Sequence, residues 1–194
     1  AAVPDAPAGL PDLQLVDREM ADSWLVTSDV FAEDDCAVVE GCVGGPGRRL
    51  LLRFHTVTAN VGAADLRVGA PPEMGVSTEM FQWSPCHKHH HVTKYTTYEL
   101  VGPAGAVISA RKQSFCLEDV ARVQPGAPSR GYTCLNQGIS RGWSDAYRIG
   151  LACQWIDITD VPPGPYTLRV VVNPEQTLPE SDYTNNVFTD DVQL

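Results

Sequence analysis

The sequence predicts a mainly β, single-domain β-sandwich with long loops, few short helices and disulfide staples. Runs rich in β-branched and apolar residues recur along the chain, whereas convincing helical periodicity is absent. Six cysteines (Cys36, Cys42, Cys86, Cys116, Cys134, Cys153) form an even set, as three disulfides require. With 194 residues, 43% of them hydrophobic, the chain can bury one substantial core.

Taken in order, residues 1–11 are rich in Ala, Pro and Gly and read as a flexible mature N-terminal segment, any signal peptide having been removed. The folded domain is expected over residues 12–194. Glu33 to Glu40 can form one short helix, followed by a Gly/Pro loop from Gly41 to Gly47. Leu50 to Val61 (LLLRFHTVTANV) reads as a strand, and a second loop runs from Gln124 to Gly131. Cys153 to Thr159 alternates in character, and the DVPPGP turn cluster then leads into the strand Tyr166 to Val172 as a hairpin or corner. Trp83, Trp143 and Trp155 are expected as core or site-wall aromatics. His55, inside a predicted strand, reads as an ordinary satisfied or exposed histidine.

Charge and hydropathy narrow the function. A net charge of −10 opposes nucleic-acid binding and favours cationic partners through long-range steering. No run approaches the ~18 apolar residues of a membrane span. No C-x-x-C pair is present, so a zinc ribbon or thioredoxin-type site has no support. The cysteines point to an oxidising compartment: secreted, periplasmic or cell-surface. Six cysteines allow 15 pairings, among which spacing does not choose.

Four of the five histidines fall in C86-H-K-H-H-H91. On a strand, His87, His89 and His91 share one face, with Lys88 and His90 on the other. Neutral imidazoles bind copper or zinc, and three of them suit either metal. In a flat strand the outer two would be roughly 13 Å apart at Cα. Each nitrogen must come within about 2 Å of the metal, so the backbone has to curve or bulge.

The residues then match a known family. W83-S-P-C-H-K-H-H-H91 resembles the copper-binding segment of lysyl oxidases. K112-Q-S-F-C-L-E-D119 resembles that family's cofactor-lysine segment, and D145-A-Y-R-I-G-L-A-C-Q-W-I-D-I-T-D160 its cofactor-tyrosine segment. P179-E-S-D-Y-T-N-N186 is similar to a further block, and with P11-D-L the resemblance spans Asp12 to Asn186.

The resemblance implies copper(II) on His87, His89 and His91. Lys112 and Tyr147 would be cross-linked into lysyl tyrosylquinone, a cofactor made from the protein's own side chains. It implies the disulfides Cys36–Cys86, Cys42–Cys153 and Cys116–Cys134. It also implies calcium on Asp12, Leu13 (backbone), Glu180, Asp182, Asn185 and Asn186, all hard oxygen donors. The implied reaction is oxidative deamination of a primary amine, peptidyl lysine or a small amine, with molecular oxygen. Its products are an aldehyde, ammonia and hydrogen peroxide. Ordinary side chains are poor electron acceptors, so the chemistry needs such a cofactor. A neighbouring cation would lower the pKa of Lys112, as its addition to the tyrosine ring requires. Asp145, Glu118 and Asp119 are all candidates for the general base. Protein made without copper is expected to hold zinc with Lys112 and Tyr147 unlinked.

Several features depart from animal members. A member without their further cysteine pairs, longer tail and pro-region or scavenger-receptor domains is expected, and position 90 is His where Tyr is usual. A minimal, microbial member is expected. Two other readings compete: a non-catalytic, calcium-binding extracellular β-sandwich adhesion module, and a zinc hydrolase on the same histidines. The hydrolase lacks an H-E-x-x-H motif. Taken alone, Lys112 is an exposed strand lysine, Tyr147 a core aromatic, and E-S-D-Y-T-N-N a polar turn.

Overall fold

The computed structural model describes residues 9–110 and 115–194. The first third contains β1 (Leu13–Leu15), α1 (Asp17–Met20), β2 (Leu25–Phe31), α2 (Cys36–Val39), β3 (Gly47–Arg53), β4 (Thr56–Asn60) and β5 (Leu66–Gly69). The middle contains β6 (Phe81–Ser84), β7 (His89–Val92), β8 (Thr96–Val101), β9 (Val107–Ser109) and β10 (Ala121–Arg122). The last part contains β11 (Gln137–Ile139), β12 (Trp143–Tyr147), β13 (Trp155–Asp157), β14 (Pro165–Val172) and β15 (Val187–Gln193). The fold is mainly β with two short helices among the described residues, as the composition and periodicity predict.

Antiparallel pairing builds sheets in the orders β1-β4-β12-β10, β13-β3-β2 and β15-β14-β8-β9, with smaller pairs β11-β5 and β6-β7. Strand alternation explains how they pack. On β8, Thr96, Tyr98 and Leu100 are buried, and on β14 so are Leu168, Val170 and Val172. The hydrophobic ones among these side chains join Leu13, Leu15, Leu52, Trp143, Tyr147, Ile156 and Phe188 in one core. β4 lies between β1 and β12 and is buried at all five positions.

The run Leu50 to Val61 serves two sheets. β3 pairs with β2 and β13, whereas β4 pairs with β1 and β12, and the chain changes sheet at Phe54–His55. At this corner the His55 N–H donates to Ser23 Oγ (3.2 Å), and His55 Nδ1 accepts the Ile149 N–H (3.0 Å). Burial, then the nearby Arg148 charge, lowers the His55 pKa, which suits a neutral, accepting ring. The DVPPGP segment is likewise a corner, since β13 and β14 lie in different sheets.

Disulfides staple the loops to this frame. Cys36–Cys86 joins α2 to the turn after β6, and Cys42–Cys153 packs with Val43, Leu51 and Trp155 in a second small core. Cys116–Cys134 closes a loop beside β11. The short helix expected between Glu33 and Glu40 forms as α2. The Asp35 side chain caps it, accepting the Ala37 N–H at 2.8 Å.

Candidate metal and cofactor site

β6 and β7 form a hairpin in register Ser84↔His89 and Gln82↔His91. Residues 85–88 make its turn, and Lys88 adopts a left-handed conformation (φ 57°). Pleating on β7 puts His89 and His91 on one face. His87, however, reaches them from the turn and not from the strand. That turn replaces the curved strand expected from the sequence, and it removes the distance problem of a flat strand. His91 Nε2 lies 3.0 Å from His89 Nε2 and 3.5 Å from His87 Nδ1. The ligand nitrogens of the three rings all lie within 4.8 Å of one another, close enough to hold one metal ion.

The hairpin is held from both sides. His90 faces away and is buried, its Nε2 donating to the Val76 carbonyl (2.8 Å) and its ring 4.9 Å from Trp83. Fully buried Gln137 donates to the His90 carbonyl (2.8 Å) and accepts the Leu117 N–H (3.0 Å). It thereby ties the histidine strand to the segment after residue 114.

That segment brings in the second half of the site. Tyr147 ends β12, and its ring lies 4.4 Å from that of Phe115, which is 6.0 Å from His91. A cavity of about 250 Å³ is lined by His87, His89, Phe115, Glu118, Asp145 and Tyr147, among others. Two residues apart on one strand, Asp145 and Tyr147 project from the same face. The Tyr147 hydroxyl donates to Asp145 Oδ2 at 2.7 Å and also lies 3.3 Å from the Cys116 carbonyl. Burial pushes the Asp145 carboxyl up to about 8. Burial, then the Asp145 charge, holds the Tyr147 phenol well above its ordinary value.

The other candidate bases have partners of their own. Asp119 accepts hydrogen bonds from Ser140, Gly131 and Tyr132, and Glu118 pairs with Arg130 at 2.5 Å. Lys112 falls in 111–114, outside the described residues.

A third cluster joins the two ends of the described chain. Glu180 Oε2 accepts the Leu13 N–H (2.6 Å), and its Oε1 accepts the Asn173 (2.5 Å) and Asn186 (3.0 Å) amides. The Asn185 amide donates to Asp12 Oδ1 (2.9 Å). The Asn185 and Asn186 side-chain oxygens are buried with no hydrogen-bond partner among the described residues, so each can serve a cation. Asp182 Oδ1 caps its own turn through the Thr184 N–H and hydroxyl.

The lysyl oxidase family model matches residues 11–194. The chain belongs to the lysyl oxidase family. It is 40% identical to lysyl oxidase homolog 2A of Danio rerio over 92% of this chain and 25% of that protein. It is 38% identical to lysyl oxidase homolog 2 of Rattus norvegicus over 92% of this chain and 24% of that protein. Lysyl oxidase homolog 3 of Homo sapiens is 40% identical over 86% and 24%. The chain thus spans about a quarter of the length of the curated relatives it matches. The solved CARDB domain of a Pyrococcus furiosus protein aligns with 95% of this chain and 88% of that one, at 12% identity and a TM-score of 0.36.

In this member of the lysyl oxidase family the structure brings together the three histidines, and it lines one cavity with His87, His89 and Tyr147. It gathers Asp12, Leu13, Glu180 and the two asparagines in the terminal cluster. Reading the sequence passed over Glu40, Ser84, Phe115 and Gln137. Of these, Glu40 alone had a usable signal: it lies four residues after Cys36, whose resemblance-implied partner, Cys86, precedes His87.

Proposed function

We propose that this chain is a copper-dependent amine oxidase acting on primary amines, foremost lysine side chains of proteins. One observation carries the reading: two imidazoles of the clustered triad, His87 and His89, border the same cavity as the buried Tyr147–Asp145 pair. His87, His89 and His91 would hold copper(II), and Lys112 with Tyr147 would form lysyl tyrosylquinone. The bound groups would supply the electron acceptor for converting amine, oxygen and water into aldehyde, ammonia and hydrogen peroxide.

The chain's own residues do the rest. Phe115 stacks beside Tyr147 and restricts its ring. Asp145 Oδ2 receives and returns a proton at the Tyr147 edge of the cavity, and a pKa near 8 suits a base working around neutral pH. The protein's net charge of −10 draws a cationic amine toward the site.

Calcium is proposed at Asp12, the Leu13 backbone, Glu180, Asp182, Asn185 and Asn186. The unpartnered Asn185 and Asn186 oxygens support this placement, since a hard cation takes such donors. Three disulfides support an oxidising compartment, whether secreted, periplasmic or cell-surface.

The test is a carbonyl reagent such as phenylhydrazine applied to protein treated with copper and oxygen. A coloured adduct on peptides carrying Lys112 and Tyr147 is expected, together with peroxide release from a lysine-containing protein. Tyr147→Phe should lose the adduct and keep the metal. Amine turnover that survives in Tyr147→Phe would overturn the mechanism. Metal binding without any adduct or turnover in the parent protein would favour the calcium-binding adhesion module instead.

A further inference from the structure

Glu40 lies outside the histidine triad and next to it. Its Oε2 is 3.9 Å from His87 Nε2, and its side chain is only 9% exposed. The other oxygen, Oε1, accepts the Ser84 hydroxyl, and Ser84 Oγ accepts the His87 backbone N–H at 3.1 Å. The two faces of the His87 ring edge therefore look in opposite directions. Nδ1 points toward His91 Nε2 at 3.5 Å, while Nε2 points toward the carboxylate.

That arrangement has a chemical consequence. A neutral imidazole has one N–H and one lone pair, and whichever nitrogen donates to an outside acceptor leaves the other for a metal. We propose that Glu40 is a positioning residue which fixes His87 with Nε2–H toward its carboxylate and the Nδ1 lone pair toward the triad. At 3.9 Å the contact is of ion-pair length, and a small rotation of the ring or one bridging water completes it. The frame around it is rigid: Glu40 ends α2, whose first residue, Cys36, is bonded to Cys86 beside His87. Ser84 adds the second tether from the end of β6. A largely dehydrated anion at this position also strengthens the donor facing a dication.

The inference rests on the three histidines being the copper site, so the test separates the two claims. Copper(II) affinity is measured by chelator competition, and the copper EPR spectrum is recorded, for the parent protein, Glu40→Gln, Ser84→Ala and a His87→Ala/His89→Ala/His91→Ala triple variant. Glu40→Gln keeps the size of the side chain and removes the anion. It is expected to bind copper about 10- to 100-fold more weakly, with a shifted hyperfine pattern, while metal-free protein keeps its melting midpoint and shows no free thiols. Ser84→Ala, which loosens the tether, should move affinity the same way by less, and it decides the question if Glu40→Gln fails to fold. Parent-like affinity and spectra in both variants would overturn the role of Glu40. If the triple-histidine variant binds copper as the parent does, the copper site itself is elsewhere and the inference falls with it.

Discussion

Tyr147 and Asp145 form a buried hydroxyl–carboxyl pair, 2.7 Å apart on one face of β12. Pleating alone brings them together, so the pair needs no loop to assemble it. Its electrostatics follow from burial, which opposes ionisation of both groups and leaves the carboxyl with a pKa of about 8.

A pH-dependent stability follows. The folded protein keeps a proton on Asp145 that the unfolded chain releases near pH 4. This contribution is fully present below about pH 4 and is lost as pH rises through about 8. Within that window each pH unit removes up to about 1.4 kcal/mol. Urea unfolding of metal-free protein at pH 5 and pH 8.5 checks this. Asp145→Asn should flatten the dependence, and equal slopes in parent and variant would refute the assignment.

Gln137→Ala should destabilise the protein and loosen the histidine strand together. It strips partners from the buried His90 carbonyl and Leu117 N–H, at about 1–3 kcal/mol for each group left bare. Denaturant midpoints and copper affinity, measured on the same preparations, should both fall. A variant that loses stability yet binds copper unchanged would show that the strand holds its shape without this bridge.

Calcium should raise the melting temperature, and a chelator should lower it. At a hundred times its dissociation constant, a cation bound only to the folded state adds about 2.7 kcal/mol. Asn186→Ala and Glu180→Gln should reduce the shift. Identical melts with calcium and with chelator would rule out the site at Asn185 and Asn186.

Replacing Cys36 and Cys86 together by Ala should lower stability by about 2–5 kcal/mol. It should also weaken metal binding, because the bridge sets α2 against the His87 turn. Unchanged copper affinity in a folded double variant would reduce this bridge to a purely structural brace.

Much of this was legible in the chain. The β-branched, apolar run Tyr166 to Val172 read as a strand, and it lies within β14. The histidines advertised their convergence by spacing, but their route did not. Lys88 takes a left-handed turn with no glycine or asparagine to signal it. The sheet change at Phe54–His55 was hidden for a similar reason. Both halves of the run are apolar and β-branched, and the groups that satisfy the corner, Ser23 and Ile149, are far away in sequence. Glu40 had only an indirect signal, its closeness to Cys36, because folding is what brings the end of α2 beside the histidine turn. Lys112 lies outside the described residues and stays with the proposal.

The cluster that joins Asp12 and Leu13 to Glu180 and Asn185 spans separations of 167 and 173 residues. A ribosome delivers the chain from its N-terminus, so β1 emerges early and its latch emerges among the last residues described. The histidine hairpin and the Tyr147 strand are both released before that latch can close. The two ends of the described chain can therefore meet only late in synthesis, after the strands that carry the histidines and Tyr147 have emerged.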